Sequence, residues 1–259
     1  MAENGLILNH LFWAFSLPTF NLSGKIGIKG SNSISHQARI KQTGHFESNT
    51  VYLYTIKPFM TATQINKTGH LMRLLSQRMP NLYLTKLLKL LYLIDETAIR
   101  QLGVPVTWLT YKVWQFGPVP TTVYNDISFD NTRLFGQYIS WREEELDTKA
   151  YQGKGIRIEP LGSADLGLFS QKELEIIDQT IEDFGNYSTK ELVEHLHREH
   201  SLWDTVYKEH NLEERFKYAE YSTSPYEIDF TVLLEGDEEK LSIYRSMEEF
   251  WTFEEAFSE

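Results

Sequence analysis

A leucine-rich stretch from Leu82 to Tyr124 limits what this chain can fold into more than any other part of it. At its start, apolar residues recur every three or four positions and predict a helix over 82–102 with one buried stripe. The stripe contains Leu84, Leu87, Leu88, Leu91, Ile94 and Ala98. The opposite, solvated side is predicted to carry Thr85, Lys86, Lys89, Glu96 and Arg100. Gly103 is suited to end the helix, with Pro105 close behind. Other helices are expected to pack around this stripe.

One carboxylate interrupts the stripe. Asp95 falls between Leu91 and Ala98, in the middle of the apolar face. An unpaired polar group buried there costs roughly 2–7 kcal/mol, so Asp95 must accept hydrogen bonds. The favoured interpretation is a structural acceptor for the turn that follows, and the alternative is a catalytic or partner-binding acid.

That turn is the segment Trp114-Gln115-Phe116-Gly117-Pro118-Val119-Pro120. Its prolines stiffen the backbone, and four aromatic residues crowd into the nine positions from Trp108 to Phe116. We expect most of them in the core. An aromatic side chain left exposed beside a rigid turn is typical of a protein-binding hot spot.

A leucine-rich helix with an internal Asp and a terminal Gly, followed by an aromatic GPVP turn and a Tyr, resembles the Panacea domain of SocA-like antitoxins. The resemblance resumes at Ser170–Trp203, and together it covers about residues 60–205. It implies an antitoxin that neutralises a cognate protein toxin by direct binding, without a cofactor. His197 and Trp203 match positions of the family pattern, and we expect His197 to be at least partly buried.

The rest of this region predicts a mainly α-helical, compact domain with a small antiparallel ribbon. Capping boxes open the helices predicted at 61–79, 170–184 and 188–200, and a further short helix is predicted at 121–128. The ribbon is predicted to pair Leu134–Trp141 with Gly155–Pro160.

Both ends of the chain differ from this domain in composition. Residues 1–59 are rich in Ser, Asn and Gly, and we expect a poorly ordered extension with a short strand at Val51–Phe59. One hypothesis is that translation starts at Met60, and the alternative is an arm that orders on a partner. Residues 206–259 form an acidic extension, with a strand predicted at Tyr226–Leu234 and a helix at Leu241–Phe257. That helix is expected either to be solvated or to dock on a basic partner.

Charge narrows the classes of partner. The formal net charge is −11; residues 1–59 carry five Lys and Arg against two Asp and Glu, and the remaining 200 carry 20 against 34. Such an acidic body disfavours nucleic-acid binding and suits a basic toxin. The chain has no cysteine, which suits a reducing cytoplasm, and no apolar run approaches the ~20 residues of a membrane span.

Three histidines, His195, His197 and His200, suggest a metal site, but helical spacing separates His195 from His197 by about 160° around the axis. No metal site is therefore expected. No catalytic residue is expected either, because the sequence has no nucleophile elbow, no Walker A motif and no dinucleotide-binding fingerprint. On a helix, His200 is predicted near the apolar face.

The side chains expected to contact the toxin are Trp114, Phe116, Pro118, Val119 and Tyr124, with Asp95, Gly117, His197 and Trp203 positioning the turn. The alternatives are an adaptor that delivers the toxin to a protease, an enzyme that uses Asp95 with His197, and, disfavoured by charge, a DNA-binding repressor.

Overall fold

The structure, a computed structural model, describes residues 60–129, 133–147, 152–218 and 221–257. The predictions for residues 1–59, including the strand at 51–59, lie outside these ranges. The described part is mainly α-helical with small antiparallel sheets, as predicted. Its helices are α1 Ala62–Arg78, α2 Leu84–Leu102, α3 Thr121–Phe129, α4 Gln171–Phe184, α5 Thr189–Leu196, α6 Leu202–Glu209, α7 Leu212–Phe216 and α8 Glu238–Phe257.

Helix α2 is the centre of the packing. Every residue from Leu87 to Glu96 is buried, so the helix is enclosed on all sides instead of presenting one stripe to the core. The prediction that Lys89 and Glu96 are solvated is therefore wrong: Lys89 is 1% exposed and Glu96 5%. A helix that is apolar around its whole circumference is normally buried. Leu87–Ile94 fits that description apart from Lys89.

The predicted GPVP turn is a β-hairpin. Strand β1 (Tyr111–Trp114) pairs antiparallel with β2 (Gly117–Pro120), and Trp114 lies opposite Gly117 across the two-residue turn. The other edge of β1 is also occupied, because Val113 N donates to Tyr226 O and Ile228 N donates to Tyr111 O, each at 2.9 Å. The C-terminal extension is thus part of the hairpin's hydrogen bonding.

The second sheet is the predicted ribbon. Strand β3 (Ile139–Asp147) pairs antiparallel with β4 (Gln152–Pro160). The first strand begins later than the predicted Leu134, because the Asp126 carboxylate accepts hydrogen bonds from Leu134 N and Phe135 N and holds that segment in turns.

Three predicted capping boxes are present, at Thr61 with Gln64, Ser170 with Glu173 and Ser188 with Glu191. The helix predicted at 188–200 ends at Leu196, since His197 is its C-cap and Ser201 caps a separate helix, α6. His200 is exposed and has a φ of +64°, so its predicted position on an apolar helical face is wrong.

The strand predicted at Tyr226–Leu234 is also wrong beyond its first residues. Glu227 forms an isolated bridge with Lys112, and then Asp229 caps a 3-10 turn at Phe230–Leu234 by accepting a hydrogen bond from Thr231 N. Helix α8 is present and begins slightly before the predicted Leu241. Within the described ranges, no helix combines the length and the apolar character that crossing a bilayer would require.

Candidate functional site

Asp95 fixes the chain that leads into the hairpin. Its carboxylate is fully buried and accepts hydrogen bonds from Val106 N and Thr107 N at 2.9 Å, from Tyr111 OH at 2.7 Å, and from the Thr107 hydroxyl. Burial raises the pKa of Asp95 to about 6, although all four donors favour the ionised form. The carboxylate therefore holds the base of the hairpin and makes no hydrogen bond to the GPVP segment itself.

Lys89 binds that segment instead. Its amine donates to Pro118 O at 2.8 Å from inside the core. Because the amine is buried, its pKa is lowered to about 7. Lys89 and Asp95 lie six residues apart, or about 9 Å along α2. Helix α2 thus secures the hairpin at two levels with side chains of opposite charge.

Gly117, at the hairpin tip, lies beside the Lys89 side chain of α2. Its φ of +99° favours glycine, and a Cβ added there would lie 3.2 Å from Lys89 Nζ and 3.7 Å from His197 Nε2. His197 Nε2 is buried and has no hydrogen-bond partner within the described ranges. Burial, assisted by the Lys89 charge, lowers the pKa of His197 to about 4, so its imidazole is neutral at physiological pH.

Trp203 connects His197 to the hairpin. The His197 ring stacks on Trp203 with a centroid distance of 3.6 Å, and Trp203 Nε1 donates to Trp114 O at 2.8 Å. The turn residue Gln115 is fixed as well: its amide N donates to Ser222 O at 2.8 Å and its side chain to Phe216 O at 3.1 Å. The hairpin tip is therefore fastened from within and from the flank.

The five candidate binding residues differ in exposure. Pro118 and Val119 are buried, whereas Trp114 and Tyr124 are half-buried. Phe116 is 44% exposed, although the residues on either side of it are held in place. Of these five, Phe116 is the side chain that offers the largest fraction of its surface to another molecule.

Further aromatic rings continue from the hairpin onto α3. Trp114 meets Tyr124 edge-to-face at 4.9 Å, and Tyr124 meets Phe129 at 6.1 Å. Phe129 is 52% exposed. We call Trp114, Tyr124 and Phe129 the aromatic row. Phe129 was not among the predicted binding residues, because the predicted helix ended at Ser128, one residue before it.

Asp95 and His197 are not brought together. The imidazole lies beside Lys89 and the hairpin tip, while all four hydrogen bonds of Asp95 go to the loop and strand at the hairpin's base. Both Asp95 and Lys89 are 0–1% exposed, so a substrate could not reach either group without opening the core. In the described ranges, no three His, Asp or Glu side chains gather as metal ligands would.

Comparison with known proteins shows a similarity to one protein family. The model of the family described as antitoxin SocA-like, Panacea domain, matches residues 87–204. That segment starts within α2 and ends within α6, so it contains the hairpin together with Asp95, Lys89, His197 and Trp203. No curated protein matches the chain, and no solved structure matches it. Residues 87–204, slightly less than half of the chain, are therefore similar to the Panacea domain of SocA-like antitoxins.

Proposed function

We propose that this protein is the antitoxin of a toxin–antitoxin system and neutralises its toxin by direct binding. The observation that carries the proposal is Phe116, a large apolar side chain that is 44% exposed at the tip of a hairpin whose backbone is otherwise fastened. The family match to SocA-like antitoxins supports the role. Aromatic residues in central, well-supported positions contribute most of the affinity in protein interfaces.

The way the tip is held favours binding. Lys89, Trp203 and the two hydrogen bonds of Gln115 fix the hairpin before a partner arrives. Ordering a loop or a side chain on binding costs roughly 0.5–1.5 kcal/mol per immobilised side chain, and a fixed tip avoids part of that cost. The aromatic row extends the apolar surface from Trp114 to Phe129.

Charge indicates the kind of toxin. From residue 60 onward the chain carries 34 Asp and Glu against 20 Lys and Arg. Such an excess attracts a basic partner and speeds its association at low ionic strength. We propose a basic toxin whose apolar patch covers Phe116 and the aromatic row.

The proposal is tested by expressing the neighbouring reading frames one at a time, with and without this chain. One product is expected to arrest growth alone, to be tolerated when this chain is co-expressed, and to co-purify with it. Protection is expected to persist in a host that lacks its ATP-dependent proteases, because binding alone suffices. Protection that disappears in that host would favour an adaptor that delivers the toxin for degradation, and a set of harmless neighbours would contradict the antitoxin role.

A further inference from the structure

A second surface lies at the other end of β1, between the loop that follows α2 and the C-terminal extension. This surface contains an open cavity of about 320 Å³. Its lining residues are Pro105, Trp108, Leu109, Thr110, Glu227, Ile228, Asp229, Phe230, Tyr244 and Glu248. This volume is at the lower end of ligand sites, roughly 300–1,000 Å³, and suits one long side chain better than a cofactor.

The walls of this cavity combine aromatic rings with carboxylates. The Trp108 and Tyr244 rings pack against each other, with their centroids 5.2 Å apart and their planes inclined by 34°. Three of the ten lining residues are acidic and none is basic. Burial, with the nearby charges of Glu248 and Asp229, raises the pKa of Tyr244 to about 12. The deeper lining is apolar, since Leu109, Ile228 and Phe230 are 6–7% exposed.

We propose that this cavity, the acidic pocket, receives an arginine side chain of the protein partner. The proposal rests on the proposed function, because it names a feature of the toxin that the antitoxin recognises. An arginine stem packs on apolar surface while its guanidinium stacks on aromatic rings and pairs with carboxylates. The pocket offers all three kinds of contact and has no basic residue that would repel the guanidinium.

The two walls belong to different parts of the chain. Trp108 and Leu109 lie within the matched Panacea domain, whereas Asp229, Tyr244 and Glu248 lie beyond residue 204. The pocket is therefore built jointly by the family domain and this chain's own extension. Contacts made there select the partner, while the hairpin surface supplies the apolar area.

A peptide probe tests the pocket without the toxin. N-acetyl-Gly-Arg-Gly-amide is titrated into the full-length protein while the NMR signal of the Trp108 indole N–H, assigned with Trp108→Phe, is followed. The neutral citrulline peptide has nearly the same shape and is the control ligand. The arginine peptide is expected to shift the Trp108 signal in a saturable way, and the citrulline peptide to shift it much less. Equal shifts from both peptides, or none from either, would overturn the proposal.

Two substitutions distinguish binding in the acidic pocket from attraction of the peptide to the overall negative charge of the protein. Glu248→Gln removes a lining carboxylate, while Glu249→Gln removes its exposed neighbour on α8, which does not line the cavity. Glu248→Gln is expected to weaken binding of the arginine peptide about fivefold or more, and Glu249→Gln is expected to weaken it less than twofold. Trp108→Asn removes the ring at a backbone φ of +58°, which Asn tolerates better than Trp, and is expected to weaken binding as well. Equal effects of Glu248→Gln and Glu249→Gln would overturn the proposed site.

The same variants are then measured against the purified toxin. Glu248→Gln is expected to weaken the complex at least fivefold and Glu249→Gln not to weaken it. Unchanged toxin affinity in Glu248→Gln would overturn the partner contact even if the peptide binds. A wild-type chain that binds the arginine peptide but does not protect cells from the toxin would instead count against the antitoxin role and leave the pocket's chemistry standing.

Discussion

The base and the tip of the hairpin are both fastened to α2 by a buried charged side chain, but the two attachments are built differently. At the base, the Asp95 carboxylate accepts four hydrogen bonds from groups within 16 residues of it in the chain. At the tip, the Lys89 amine donates to Pro118 O, and beside it His197 Nε2 has no partner within the described ranges. The saturated network at the base is costly to break. The tip depends on a single lysine amine, whose pKa burial lowers to about 7, so its ionisation responds to pH near neutrality.

The largest expected effect is at the base. Asp95→Ala leaves two backbone N–H groups and two hydroxyls without their acceptor in the core, and it should lower the free energy of unfolding by about 3–5 kcal/mol. Chemical denaturation followed by circular dichroism measures this loss. The matched control is Asp178→Ala, which removes an exposed ion pair with Arg78 and should cost less than about 1 kcal/mol. Similar losses in both variants would mean that the base is no stronger an attachment than an exposed ion pair.

Substitution at Gly117 tests how tightly the tip is packed. Gly117→Ala forces a side chain into a positive φ and places its Cβ 3.2 Å from Lys89 Nζ, and about 2–3 kcal/mol of stability should be lost. Gly162→Ala is the control, because its φ is also positive, at +76°, but nothing lies within 4 Å of the added Cβ. Its cost should be about 1–2 kcal/mol, and equal costs in thermal denaturation would show that the tip has room to relax.

The contribution of Lys89 at the hairpin tip can be recognised by how the free energy of unfolding changes with pH. With the pKa of Lys89 lowered to about 7, the folded protein releases this proton above pH 7, while the unfolded chain retains it up to about pH 10.5. The unfolded state therefore binds more protons between these values, and the contribution of Lys89 to stability increases as pH rises through this window. Urea denaturation at pH 7, 8 and 9 should show this increase in the wild type and lose it in Lys89→Met. The exposed-lysine variant Lys172→Met should retain the wild-type slope.

The smallest effect on stability is expected at the exposed tip residue. Phe116→Ser should change the free energy of unfolding by less than about 0.5 kcal/mol, because the side chain is 44% exposed and the hydrogen bonds of Gln115 do not involve it. Leu166→Ser is the control, since Leu166 is also 44% exposed but lies in the 3-10 turn before α4. A large loss of stability in Phe116→Ser would show that Phe116 supports the fold and is not kept for a partner.

Local signals in the sequence predicted much of the fold. The capping boxes at Thr61, Ser170 and Ser188 placed three helix starts, and the position of Asp95 within an apolar stripe correctly predicted a buried acceptor. These features depend on a few neighbouring residues, so they can be read from one short segment at a time.

Predictions that depended on distant parts of the chain were less successful. Lys89 was assigned to solvent because one stripe was assumed, but helices, the hairpin and the ribbon surround α2 and bury it on all sides. The alternating pattern at Tyr226–Leu234 indicated a strand, yet the Asp229 cap turns the chain into a 3-10 turn after a single bridge. The acidic pocket could not be predicted either, because its walls come from segments more than 100 residues apart.

The affinity of the purified protein for its toxin, compared between Phe116→Ser and Leu166→Ser, tests the central claim most directly. Phe116→Ser is expected to raise the Kd at least tenfold while both variants keep wild-type stability, because hot-spot side chains contribute about 2 kcal/mol or more. Leu166→Ser is expected to leave the Kd unchanged. A Phe116→Ser protein that binds and neutralises the toxin as well as the wild type would contradict the assignment of the hairpin tip as the binding surface.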